Sequence, residues 1–119
     1  MDRIEILTAL ARDRTIDITT TGARTGRQQR IELWAWPADG TVYLTGTPGR
    51  RDWYANLRAD PVFTFHLKRG VQADLPARAR PIEDPAERRT IFERLRPEQV
   101  DAWTAGAPLV EVDFTTLTP

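Results

Sequence analysis

The sequence predicts a mainly β domain with helices (α+β), a small closed or split barrel of six strands. Three observations predict it. Six segments alternate apolar and polar residues with the period of two that a half-buried strand requires. Short turns rich in glycine follow the first, second and fourth of them, while helical patterns follow the third and fifth. Strands that mostly return through tight turns make an antiparallel barrel, whereas a doubly wound α/β sheet needs a helix after nearly every strand.

Residues 2–12 place Ile4, Leu7, Leu10 and Ala11 at helical spacing, so a short amphipathic helix opens the chain and packs on the barrel or on a partner. Residues 15–21 alternate Ile16, Ile18 and Thr20 as a first strand, and residues 22–26 turn it. The second strand, 28–36, carries Ile31, Leu33 and Ala35 on one face and Arg30, Glu32, Trp34 and Trp36 on the other. Residues 37–40 make a hairpin turn, and 41–47 return with Val42 and Leu44 inward.

Asp52 is the expected N-cap of a helix over 53–59, which Asp60-Pro61 ends. Residues 62–68 alternate with Phe63, Phe65 and Leu67 inward, which leaves His66 on the opposite face as a cross-strand partner. In the strand over 71–80, Pro76 requires a local edge or a bulge. Asp84, Pro85 and Glu87 form a helix start, with Ile91, Phe92 and Leu95 as the buried stripe and the charged residues of 87–96 as a solvated face. Pro97 opens a further short helix to about residue 105, with Val100 and Trp103 inward. The last strand runs over 109–115.

The 119 residues read as one domain, 1–119, large enough to bury a core without disulfides or a structural metal. There is no serine and no cysteine, one histidine (His66) and one lysine (Lys68) among seventeen cations. A serine or cysteine nucleophile with its histidine cannot be built, and no spacing suggests a metal site. If the chain is an enzyme, a cofactor carries the reaction, and no side chain stands out as catalytic. No apolar run reaches membrane-spanning length and no signal-peptide pattern opens the chain, so the expected location is the cytoplasm.

The net charge is zero but uneven: residues 22–69 carry eight basic and four acidic side chains, against six and nine over 70–119. That excess is too small for a nucleic-acid surface and suits a local site for an anionic small molecule. Two turns sit within it, Thr19-Thr20-Thr21-Gly22-Ala23-Arg24-Thr25-Gly26 with Arg27 and Arg30 beyond, and Thr45-Gly46-Thr47-Pro48-Gly49-Arg50-Arg51. In each, glycine lets the backbone approach a ligand closely and arginine supplies charge. The helix start after Arg51 adds backbone N–H groups for an anion.

The first turn, followed by Pro48-Gly49, Trp53-Tyr54-Ala55-Asn56-Leu57 and Asp60-Pro61-Val62, resembles the deazaflavin-dependent nitroreductase and quinone reductase family over roughly residues 15–115. The resemblance implies an FMN-binding-like split β-barrel and coenzyme F420, whose reduced form gives hydride to nitroaromatics, quinones or similar planar acceptors. It puts the coenzyme's phosphate and acidic tail near the first turn and its ring near the second. The carried-over cofactor-binding positions are Arg24, Thr25, Gly26, Arg30, Thr45, Gly46, Thr47, Gly49 and Trp53, with Arg50 and Arg51 as nearby cations.

Two positions depart from the family pattern. Pro48 stands where relatives carry lysine, with Arg50 and Arg51 close by as substitutes, and Glu32 where they tend to carry asparagine; a carboxylate facing the ligand would repel its acidic tail, so either Glu32 pairs with an arginine or the ligand sits differently. The alternative function is a split-barrel carrier for FMN or another flavin, haem or a fatty acid, without catalysis. Small split barrels often pair face to face, which is compatible with a homodimer.

Overall fold

The structure is a computed structural model and describes residues 2–117. Helix α1 (Arg3–Arg12) starts at Asp2, whose carboxylate accepts the Glu5 N–H at 2.8 Å. It buries Ala9 and Leu10 against the barrel but leaves Ile4 and Leu7 exposed, so its outer apolar residues do not pack on the chain's own core. Strand β1 (Thr15–Thr21) matches its sequence pattern in full. Strand β2 (Gln28–Ala38) runs two residues past the expected end, because the hairpin turn is only Asp39-Gly40. Both have positive φ, 50° and 80°, as a two-residue turn of matched twist demands.

Strand β3 (Thr41–Thr45) stops two residues before the expected end and releases Gly46 and Thr47 into the second basic turn. Helix α2 (Asp52–Ala59) begins at Asp52 itself, with Arg51 at the cap position and no side-chain cap bond. Asp52 therefore sits in the first turn as an acidic residue rather than capping it. Strands β4 (Val62–Lys68) and β5 (Gln72–Pro81), helix α3 (Pro85–Leu95), a 3₁₀ turn over 97–99, helix α4 (Val100–Gly106) and strand β6 (Leu109–Asp113) complete the chain. β6 ends two residues short of the pattern.

The six strands close into an antiparallel barrel in the order β1-β2-β3-β6-β5-β4, with β4 returning to β1. Two strands change partner along their length. β2 pairs with β1 through residues 28–34 and with β3 only from Ala35 to Ala38. β5 pairs with β4 up to Arg78 and with β6 from Arg78 to Pro81. Pro76 falls in the half of β5 that pairs on one side only, where its missing N–H breaks no ladder. Likewise one edge of residues 28–34 has no strand beside it among the described residues, and the barrel is split there.

The barrel interior is built from alternate residues of every strand, including Ile16, Ile18, Leu44, Phe65, Leu75, Ala77 and Val110, and α2 adds Trp53 and Leu57. Full burial of each larger aliphatic side chain contributes about 1.5–3 kcal/mol. A second core lies outside the barrel, where α3 and α4 bring Ile91, Phe92 and Trp103 onto Ile82 and Leu109, with Trp36 and Tyr43 packed against them. Arg88, on the face of α3 expected to be solvated, is buried in this layer.

Its guanidinium donates to the carbonyls of Thr104, Ile82, Trp103 and Ala107. Trp103 and Thr104 lie in the last turn of α4; the Trp103 carbonyl also accepts the Ala107 N–H, and Arg88 adds donors to this helix end from inside the protein. The helical insertion is thereby locked as one layer over β2, β3 and β6.

Candidate functional site

The first turn is shaped by glycine geometry. Gly22 N–H donates to Arg27 O at 2.8 Å and Gly26 N–H to Gly22 O at 2.9 Å, with Gly26 at φ 71°. A Cβ on Gly22 would lie 2.7 Å from Thr25 Oγ1, which itself accepts the Arg27 N–H. The turn cannot stay this tight with any other residue at 22.

Asn56 of α2 holds the turn in place. Its Oδ1 accepts the Ala23 N–H at 2.9 Å, and its Nδ2 donates to Thr20 Oγ1 and Gln29 Oε1. One buried amide thus joins α2 to β1, to the turn and to the start of β2. The sequence put Asn56 inside a helix pattern and offered no sign of this role beyond its place in the Trp53–Leu57 motif.

The second turn is fastened from two sides. Gly49, at φ 135°, donates its N–H to Gly106 O at the end of α4. Arg51 folds back over the turn and donates to Thr47 O, Thr47 Oγ1 and Arg50 O at 2.8–3.0 Å. Thr45, buried at the end of β3, donates its hydroxyl to Pro108 O.

These supports bring the two turns to one cleft of about 490 Å³, lined by Gly22, Ala23, Arg24 and Thr25 of the first turn, Arg50 and Arg51 of the second, and Asp52, Ala55 and Asn56 of α2, with Gln29. Among the described residues, Arg24 and Arg50 have no carboxylate partner, so three guanidinium groups and the start of α2 face one carboxylate, Asp52. Such a set of donors fits phosphate and carboxylate groups.

A second cleft, about 520 Å³, opens at the split in the barrel. It is lined by Thr45, Gly46, Thr47 and Trp53 together with Glu32, Leu33, Trp34, Trp36, Arg96 and Trp103. Arg51 lines both clefts, so they are neighbours across its side chain. Trp53 is buried, packs edge-on to Tyr54 at 5.9 Å, and belongs to the barrel core as well as to this wall. Apolar, mostly indole walls with a few polar groups suit a planar ring.

Not every sequence candidate enters these clefts. Arg30 lies on the outer face of the β1–β2 pair, donating to Asp17 at 2.9 Å, and lines neither. Asp17 also meets Lys68 Nζ at 2.7 Å, and Lys68 pairs in turn with Glu32. Burial pushes the Asp17 carboxyl up, but Lys68 and Arg30 outweigh it and hold the group below the usual carboxylate range. Glu32 thus has the cation it needs, a lysine rather than an arginine.

Gly26 and Gly49 shape the turns without lining either cleft. Of the side chains near the clefts that could give a proton, Tyr43 packs in the second core, where burial pushes its phenol up. His66 is a cross-strand partner, its ring joining Thr19 Oγ1 and Asp74 Oδ1 at 2.7 Å each. Neither they nor Tyr54 line the clefts. Among the described residues no helix is long and apolar enough to cross a membrane, and no three metal-ligating side chains gather. Trp103 and Arg96 are wall residues that sequence reasoning missed, since their meeting with Trp34 and Trp36 depends on α3 and α4 folding back onto β2.

The pattern of the F420H(2)-dependent quinone reductase family matches residues 4–111. No curated protein matches the chain. Among solved structures, Rv2991, a conserved hypothetical protein of Mycobacterium tuberculosis, is 22% identical with a TM-score of 0.70, over 96% of this chain and 81% of that one. An FAD-binding protein of Mesorhizobium loti is 14% identical with a TM-score of 0.72, covering 94% and 88%. An F420-H2 dependent reductase, FDR-A, is 21% identical with a TM-score of 0.60, covering 84% and 94%. At these identities the structural likenesses speak to the barrel fold.

Proposed function

This chain belongs to the F420H(2)-dependent quinone reductase family, and from that membership we infer how its two clefts are used. It is an F420-dependent oxidoreductase, and coenzyme F420 is its cofactor. We assign the phosphate and acidic tail of the coenzyme to the basic cleft, with Arg24, Arg50, Arg51 and the backbone of Thr25 as its holders. The ring goes to the indole cleft, against Thr45, Gly46, Thr47 and Trp53.

The observation that carries this reading is the shared wall at Arg51, which sets a basic cleft beside an indole cleft, an order that suits a molecule with an anionic tail and a planar head. The residues fit the group, because the basic cleft holds guanidinium groups without protein partners. Arg50 supplies the cation that Pro48 does not, and Lys68 offsets the charge of Glu32. The coenzyme, when bound in its reduced form, supplies the hydride, which matches a chain with no nucleophile of its own.

The side chains then orient and exclude water rather than form bonds. Thr45 and Arg51 keep the second turn rigid, Trp53 closes the inner wall, and Trp34 and Trp36 line the side from which a planar acceptor, a quinone or nitroaromatic, enters. The carboxylates on the clefts are Asp52 and Glu32, and Glu32 is held by Lys68, so we assign the proton that completes reduction to water.

Arg24 tests the assignment. Arg24→Ala is expected to weaken coenzyme binding by one to two powers of ten, about 1.5–3 kcal/mol for a charge-assisted contact, with no loss of thermal stability. Titration of both proteins with oxidised F420, followed by its fluorescence, measures it. Equal affinity in the two would move the phosphates elsewhere, and saturation by FMN with no response to F420 would favour a flavin carrier.

We also read the protein as a cytoplasmic homodimer, since Ile31 and Trp34 are exposed on the half of β2 that pairs on one side only. Sedimentation equilibrium should then return twice the 13.6 kDa chain mass. A monomer at high concentration would remove the dimer from the account without touching the clefts.

A further inference from the structure

We propose that Arg96, with Trp36 and Trp103, forms an acceptor seat in the indole cleft, selective for planar aromatic molecules that carry an anionic oxygen, a carboxylate or a phenolate. The proposal rests on the assignment of the ring to the same cleft, and it names the acceptor class that assignment leaves open.

Two arginines of one helical layer are handled in opposite ways. Arg88 is buried and its guanidinium donates to four carbonyls. Arg96, just past the end of α3, lies 4.9 Å from the Trp103 ring centroid and 6.0 Å from that of Trp36, and its Nε is buried with no hydrogen-bond partner. The indole Nε1 of Trp36 is also buried and has no acceptor. Among the described residues no carboxylate pairs with Arg96, and Glu32, the acidic residue on the same cleft, is held by Lys68.

Buried donors without acceptors are unfavourable, and native structures rarely keep them without reason. Here both residues line a cleft that a ligand can enter; Arg96 Nε and Trp36 Nε1 have no exposed surface of their own, while the terminal guanidinium nitrogens of Arg96, which make no hydrogen bond, are not buried. A ligand oxygen at those terminal nitrogens gains a charge-assisted hydrogen bond, and its ring lies against the indole residues that line the cleft. The two indoles also hold the guanidinium between them, so little side-chain freedom is lost on binding. Phosphates have their own place in the basic cleft; the narrow aromatic walls here favour a flat molecule with a single acidic oxygen group.

The test uses the full chain without coenzyme and two probes of one shape, 2-naphthoate and the neutral 2-naphthalenemethanol, by calorimetric titration. The wild type should bind naphthoate about tenfold more tightly than the alcohol, the worth of one charge-assisted hydrogen bond. Arg96→Gln should bring the two affinities within about twofold of each other, and Arg96→Lys should keep part of the preference. If Arg96→Gln does not fold, the lysine variant and the wild-type preference still decide.

A wild type with no preference, or a preference that survives Arg96→Gln, overturns the seat. Repeating the titration with saturating oxidised F420 separates the two readings. Retained naphthoate binding supports an acceptor seat beside the ring, and displacement overturns it by giving the wall to the coenzyme. If F420 itself does not bind while the naphthoate preference holds, the coenzyme assignment falls and the anion seat stands.

Discussion

Replacing Arg88 by alanine is expected to lower the stability of the protein by about 3–5 kcal/mol, a large share of the roughly 5–15 kcal/mol that holds a domain of this size together. The side chain is buried and donates to four carbonyls from three separate segments: Ile82 after β5, Trp103 and Thr104 in α4, and Ala107 before β6. Truncation removes the guanidinium donor from all four carbonyls, of which Trp103 O keeps the Ala107 N–H, and opens a cavity beside Phe92, over whose ring the guanidinium lies at 5.6 Å.

For a chain of this length the loss corresponds to a fall in melting temperature of roughly 10–20 °C. Arg88→Lys should recover only part of it, since an ammonium reaches fewer carbonyls than the planar fork. The neighbouring Arg89 supplies the control: its exposed pair with Asp101 should be worth less than about 1 kcal/mol. Urea unfolding of the three variants gives the comparison, and an Arg88→Ala protein within about 1 kcal/mol of wild type would mean that water replaces the guanidinium.

Asn56→Ala should strike the coenzyme harder than Arg24→Ala does. Arg24 is one ligand-facing charge, but Asn56 sets the position of the whole first turn through Ala23 N–H, and ties it to Thr20 and Gln29. We expect a loss of F420 affinity of about a hundredfold or more, together with about 1–3 kcal/mol of stability from the orphaned partners. Hydrogen exchange gives an independent reading, because the Ala23 amide loses its acceptor and should exchange faster in the free protein. Asn56→Asp separates the two contributions: it keeps size and the acceptor for Ala23 but puts a negative charge into the basic cleft. Coenzyme binding equal to wild type in Asn56→Ala would show that the turn holds its own shape.

Much of this fold is readable in the chain because its strands are half-buried. β1 and β4 match their alternating segments residue for residue, and the helix start at Asp84 has the capping bond to Glu87 N–H that its sequence implies. The differences lie where local preference met a competing demand. Asp52 is a good cap by type, but Arg51 takes the extended cap position and Asp52 enters the helix, where its charge still favours the N-terminus. The hairpin shrank to Asp39-Gly40 because those two residues alone adopt positive φ, and Pro37 stays in the strand paired with Val42.

The candidate site divides in the same way. The basic turns are local and show themselves by glycine, threonine and arginine spacing, so their meeting in one cleft needed only the order of the strands. Arg30 has the same composition around it, but strand alternation turned it outward to Asp17. Arg96 and Trp103 reach the cleft through a helical layer some sixty residues from β2 in sequence, and no periodicity within α3 distinguishes Arg96 from Arg88.

One arrangement has a bearing on how such a chain can diversify. Both ligand turns are held mainly by uncharged contacts, the first by the Asn56 amide and the second by the backbone bond from Gly49 to Gly106, with Arg51 as the charged exception. Arg24 and Arg50 take no part in holding them. The charge of the mouth can therefore drift, reverse or vanish through single substitutions while the frame beneath stays intact, which leaves the choice of anionic ligand open to selection at almost no structural penalty.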